Sequence, residues 1–117
     1  MIQIENVLTD RGSKYAVTGG VVSDRKDADA FVKALKRKKK FSKATHNTWA
    51  VILAGGEQVK SDDGESGAGM VILWMLERDG IEGEIVVVTR WYGGVHLGGD
   101  RFRHVQTCVR AYLDARP

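Results

Sequence analysis

The sequence predicts an α/β protein of the α+β kind, with one mixed sheet of about four strands and helices packed on it. The first observation is that apolar spacing alternates between strand and helix periods in the order β, β, α, β, α, β, α. The second is size and balance: 117 residues, 43% hydrophobic and 28% charged, fit a single ordinary globular domain over residues 1–117. The third is punctuation by glycine. There are 14 glycines and one proline, and eleven of the glycines lie between Gly55 and Gly99, so the second half needs positive φ angles or close backbone approach.

The elements follow in order. Ile2 to Leu8 and Lys14 to Val22 read as strands of a hairpin around Asp10-Arg11-Gly12-Ser13. A helix is expected from about Asp24 to Lys39, with Ala28, Phe31, Val32 and Leu35 on one face. Asp24, Asp27 and Asp29 crowd its start and lysines its end, each sign suiting the helix dipole. Thr45 to Leu53 is the third strand, closed by Gly55-Gly56. Met70 to Leu76 is apolar throughout and fits a strand or a helix; the small residues before it and Asp79-Gly80 after it favour the helix. Ile85 to Thr89, with three consecutive valines, reads as a strand buried on both faces. Asp100 to Ala115 closes the chain as a helix with Phe102, Val105, Val109, Tyr112 and Leu113 on one face.

Charge is distributed unevenly. Met1 to Ala44 carries 11 basic and 5 acidic residues, Thr45 to Gly83 carries 2 and 7, and Glu84 to Pro117 carries 5 and 3, so the net +3 conceals an acidic centre between basic flanks. The single cysteine, Cys108, excludes an internal disulfide framework and a zinc ribbon, and points to a reducing, cytoplasmic setting. No secretory signal is expected at Met1-Ile2-Gln3-Ile4-Glu5, and the longest apolar run falls far short of the ~20 residues that span a bilayer. No membrane partner is expected.

Two segments concentrate unusual residues. Asp62-Asp63-Gly64-Glu65-Ser66-Gly67-Ala68-Gly69 leads into the second helix. A bare helix start attracts anions, but three carboxylates upstream repel phosphate and can cap the helix themselves, with Ser66 a second capping candidate. Neither a P-loop, a dinucleotide fingerprint nor a nucleophile elbow is spelled out. Asp62, Asp63 and Glu65 with His46 are also hard-cation ligands by type, though not at EF-hand spacing. The second segment, Arg90-Trp91-Tyr92-Gly93-Gly94, ends the central strand and runs to Leu97-Gly98-Gly99-Asp100-Arg101. Its arginine is placed to pair with the Asp62-Asp63 turn. Its Trp-Tyr pair has the composition of a protein-binding hot spot, and serves equally well to cover the sheet end. The two glycine-rich loops are expected to lie side by side.

Other candidates are weaker. His46, His96 and His104 stand at no diagnostic spacing from a nucleophile, and Cys108 falls on the packed side of the last helix. Lys36-Arg37-Lys38-Lys39-Lys40 has no interleaved aromatic and reads as a solvated helix end.

Taken together, these segments resemble the Impact family, which includes the bacterial YigZ-type proteins. The resemblance rests on Lys43-Ala44-Thr45-His46-Asn47, on Asp62-Asp63-Gly64-Glu65 with the small residues to Gly69, on Val86 to Gly94, on Leu97-Gly98, and on Asp100-Arg101-Phe102-Arg103-His104. The Arg-Trp-Tyr-Gly-Gly spelling is closer to the eukaryotic form. The resemblance implies a two-layer α/β sandwich similar to the second domain of a small-subunit ribosomal protein. It also implies a non-enzymatic module without cofactor that binds a ribosome-associated activator of an initiation-factor kinase and so restrains the amino-acid-starvation response, with actin as a further partner. Eukaryotic members carry an additional N-terminal domain and bacterial ones an extra C-terminal domain; these residues correspond to the shared domain. The family-motif positions are His46, Asn47, Asp62, Asp63, Gly64, Glu65, Arg90, Trp91, Tyr92, Gly93, Gly94, Asp100 and Arg101. Two alternatives remain beside protein binding: RNA or ribosome contact through the basic first helix, and a divalent-metal hydrolase at Asp62, Asp63 and Glu65.

Overall fold

The computed structural model describes residues 1–117. The chain opens as a hairpin of β1 (Ile2–Asp10) and β2 (Ser13–Val21). Asp10 pairs with Ser13, leaving a two-residue loop whose members Arg11 and Gly12 have φ of 46° and 85°. Positive φ at both positions is the type I′ turn, one of the two geometries whose twist matches that of the flanking strands. The register shifts between Ile4 and Leu8, a bulge at which Asn6 takes φ 56°.

The first helix, α1 (Arg25–Lys36), starts where Asp24 Oδ1 accepts from the Asp27 N–H at 2.8 Å. It ends three residues earlier than expected. The chain turns at Lys38 into a short helix, α2 (Lys39–Ser42), because Phe41 has to reach the core and is buried there. After β3 (His46–Ile52), the Gly55-Gly56 turn leads into β4 (Gln58–Ser61), then α3 (Ala68–Arg78), β5 (Glu84–Trp91) and α4 (Asp100–Ala115).

The strand order is β1-β2-β5-β3-β4, and every neighbouring pair is antiparallel. The α+β class and the single sheet agree with expectation. The sheet is antiparallel rather than mixed, because β5 runs against both neighbours, and it has five strands because the short edge strand β4 adds to the four.

Both faces of the sheet are covered. Val86 and Val88 of β5, with Tyr15, Val17, Ala50 and Ile52, pack under α3 and α4. Ile85 and Val87, with Ala16, Trp49 and Val51, pack under α1 and α2. Alternate residues of one strand therefore enter different cores, which is why the valine run shows no polar alternation. The helices form two layers around the sheet, so the expected two-layer sandwich gains a third layer from α1 and α2.

Candidate functional site

At the end of β5, the Arg90 side chain enters a buried position between elements from three parts of the chain. Its Nη1 donates to Glu65 Oε1 and Oε2 at 2.9 and 3.1 Å, and Glu65 is only 3% exposed. The arginine carbon Cζ lies 5.8 Å from the Tyr15 ring centroid and 5.6 Å from that of Tyr92, so two aromatic rings flank the guanidinium. Ser13 Oγ accepts weakly from Arg90 at 3.3 and 3.4 Å and also from the Gly93 N–H at 3.2 Å. Arg101, from the start of α4, reaches the same Glu65 oxygen at 3.4 Å. His46 stands on the other side, its Nε2 3.4 Å from Glu65 Oε2. Its Nδ1 lies 2.8 Å from the Asp63 carbonyl, which only accepts, so Nδ1 carries a hydrogen.

His46, Glu65, Arg90 and Arg101 line a cleft of about 380 Å³ with Thr45, Tyr92, His96, Leu97 and Gly98. The glycine-rich loops do lie side by side, and Glu65 joins them through Arg90 and Arg101. The expected pairing of Arg90 with the Asp62-Asp63 turn does not form. Asp62 instead accepts from the Gly67 and Gly69 N–H groups at 3.0 and 2.9 Å. Those amide hydrogen bonds, the one from Gly67 foremost, hold its carboxyl below the usual range. Asp63 Oδ2 accepts from the Asn47 N–H at 2.7 Å. Ser66 makes no cap at α3, whose boundary residue is Gly67 in the left-handed region.

With Asp62 turned to the helix start, Asp63 to β3 and Glu65 to arginine, the three carboxylates diverge. No group of three or more His, Cys, Asp or Glu residues is arranged to hold a metal ion. The convergence of Asp62, Asp63 and Glu65 that the metal-hydrolase alternative calls for is not formed.

The remaining motif residues divide between support and surface. Asn47 is buried, donating to the Phe41 carbonyl and accepting from Thr89 Oγ1. Trp91 is not part of an exposed pair: it packs on Phe41 and donates from Nε1 to the Lys40 carbonyl at 3.0 Å. Tyr92 alone is exposed, at 42%, and its ring lies 5.6 Å from that of His96. Gly93 sits against the first hairpin so closely that a Cβ there would lie 2.0 Å from the Gly12 carbonyl carbon, whereas Gly94 has open space at φ 93°. Gly64 packs on the His46 ring. Asp100 points away, pairing with Arg11 at 2.7 Å and Arg103 at 3.3 Å. Cys108 is a packed thiol pushed up to about 12 by burial.

Sequence reasoning did not single out Ser13 and Tyr15 for this site. Nothing in their spacing marks them, because strand pairing brings them here from more than seventy residues away.

The fold and the cleft define an α+β domain: a sheet with helices on both faces, and at the end of its middle strand a charge-paired cleft built on a buried Glu–Arg pair. The Impact N-terminal domain model matches residues 11–113. This chain belongs to the Impact family. It is 39% identical over 114 residues to the protein IMPACT homolog of Caenorhabditis elegans, covering 92% of this chain and 44% of that protein. Against the homolog from Saccharomyces cerevisiae it is 36% identical over 108 residues, 88% of this chain and 42% of the other. Protein IMPACT of Homo sapiens is 36% identical over 111 residues, 91% and 35%. The chain thus spans less than half the length of these relatives.

Among solved structures, a hypothetical protein superposes with a TM-score of 0.83 at 24% identity, covering 97% of this chain and 57% of the other, which shows the shared fold. The two-domain translational regulator Yih1 superposes with a TM-score of 0.58 at 33% identity, over 92% of this chain and 43% of that one. No helix of this chain is long and apolar enough to cross a membrane.

Proposed function

We propose that this domain is a non-enzymatic protein-binding module of translation control, and that it docks a partner on the mouth of the Glu65–Arg90 cleft. The observation that carries this reading is Tyr92, exposed and stacked near His96 with the half-buried Arg101 beside it. Aromatic and arginine side chains over a rigid, desolvated base are the composition of an interface hot spot. The base here is rigid because the Glu65–Arg90 pair and the Gly93–Gly12 contact fix the end of β5.

Family membership supports the translation-control part of the reading, since one relative of known structure is described as a translational regulator. The partner this favours is a ribosome-associated activator of an initiation-factor kinase, with a role in the starvation response; actin is a second partner to score. The test is affinity capture from native cell extract with the wild-type chain and with a His96→Ala/Arg101→Ala variant, followed by mass spectrometry. The activator is expected with wild type and lost, or reduced at least tenfold, with the variant. Equal capture by both, with the variant folded, places the docking surface elsewhere; absence of the activator from wild-type captures overturns the partner.

A further inference from the structure

The lysine run lacks aromatics in sequence, but not in space. Every arginine except Arg37 touches a carboxylate, whereas among the lysines only Lys40 does, at 2.5 Å from Glu5. The unneutralised positive charge of the molecule is therefore carried by Arg37 and the lysines other than Lys40. It is concentrated in residues 33–43, which hold seven basic residues and no acidic one. Helix-dipole compensation accounts for the lysines in the last turn of α1. It does not account for Lys39, Lys40 and Lys43, which follow that helix's end.

The turn into α2 carries Lys40 and Lys43 to the end of β5. Phe41 anchors under Trp91, the Trp91 indole donates to the Lys40 carbonyl, and the Thr45 N–H donates to the Arg90 carbonyl at 2.9 Å. Lys40 Nζ lies 5.4 Å from the Trp91 ring centroid. Lys14 is the register partner of Trp91 across β2 and β5, so both side chains rise from the same face of the sheet. The result is a groove of about 470 Å³ walled by Lys14, Lys40, Lys43, Trp91 and Tyr92, with Asn6 of the β1 bulge at its edge.

We infer that this groove binds single-stranded RNA, its phosphates following Lys14 and Lys43 and drawing Lys40 off its exposed pair with Glu5, and an unpaired base stacking on Tyr92. Lysines beside an exposed aromatic face are the two components that grip a single strand without reading its sequence. The groove lies beyond the cleft proposed for the protein partner; Tyr92 lines both and the buried Tyr15 ring lies behind both, while the lysines belong to the groove alone, so the two are separable by mutation.

The test is fluorescence anisotropy of a labelled 20-nucleotide oligouridine with the full chain. Binding is expected at 50 mM salt and is expected to weaken roughly 20-fold by 200 mM if three phosphates are contacted. A Lys14→Glu/Lys43→Glu variant is expected to lose at least tenfold in affinity with an unchanged circular dichroism spectrum and melting temperature, and Tyr92→Ala about tenfold. The His96→Ala/Arg101→Ala variant is expected to bind RNA as wild type does. Three results would overturn the inference: no binding at 50 mM salt, equal affinity for an RNA duplex of the same length, or full affinity in the Tyr92→Ala variant. The last two would mean plain attraction of a polyanion to a basic surface.

Discussion

Both carboxylate oxygens of Glu65 accept from one nitrogen, Nη1 of Arg90, and neither side chain is more than 7% exposed. The acid comes from the loop before α3 and the base from the end of the central strand, so this one pair closes the cleft and ties the two glycine-rich loops together.

Removing one member leaves the other buried without its partner, which typically costs about 3–5 kcal/mol. Arg90→Ala and Glu65→Ala are each expected to destabilise the domain by about that much. The double variant is expected to cost less than the sum by at least about 1 kcal/mol, since it leaves no orphaned charge. Urea denaturation of the four proteins measures the coupling directly.

Gly93 has no room for a side chain. Gly93→Ala places a carbon 2.0 Å from the Gly12 carbonyl carbon, with backbone on both sides of the clash. The expected loss is about 1–3 kcal/mol, as for other overpacked sites. Gly99→Ala, where a new Cβ meets open space, is expected to change stability by no more than about 1 kcal/mol. Thermal melts of the two variants discriminate steric need from general loop flexibility.

Asp62 makes the domain sensitive to acid. Its folded carboxyl is held below the usual range by the Gly67 and Gly69 amides. The stabilisation is fully present above the unfolded value of about 3.9 and is lost as pH falls through the lower folded value. Asp62→Ala is expected to lose about 0.5–2 kcal/mol at pH 7. Its deficit should shrink as the pH is lowered below about 4, measured as the gap between denaturation midpoints at successive pH values.

Tyr15 carries a hydroxyl that finds no hydrogen-bond partner although the residue is 1% exposed. Burial, as the largest cause, pushes its phenol up to about 12. Tyr15→Phe removes an unsatisfied polar atom while keeping the ring against Arg90 and His104. Stability is expected to stay level or rise by up to about 1 kcal/mol, again by urea denaturation.

The parts of the fold legible in sequence were those whose signals are local. The last helix falls at the expected residues because its apolar face repeats at helical spacing from Phe102 to Leu113. The edge strand β4 escaped notice because Gln-Val-Lys-Ser is short and mostly polar, and its strand geometry comes from pairing with Trp49 to Ile52. The short helix α2 escaped because its lysines mask the single buried Phe41 that defines it. Glycines and charges mark the two segments that the fold brings together at the cleft. Which acid met Arg90 was not legible, since Asp62, Asp63 and Glu65 are equivalent by type and only the turn at Gly64 and Gly67 decides where each points. The same holds for Trp91, half-buried because its ring packs on Phe41, fifty residues earlier.

The strand at the centre of the sheet is also the last to be made. Until residues 84–91 exist, β1–β2 and β3–β4 are two hairpins with no shared neighbour, and isolated hairpins are marginal in water. A nascent chain that stops short of Glu84 therefore holds two open strand edges that β5 alone can cap. Assembly must wait for synthesis to pass Trp91, and the pairing of Lys14 with Trp91 closes one of the longest sequence loops in the molecule. Placing the cleft at the end of that strand entails a slow, all-or-none final step, during which the unfinished protein depends on nothing else pairing with those edges first.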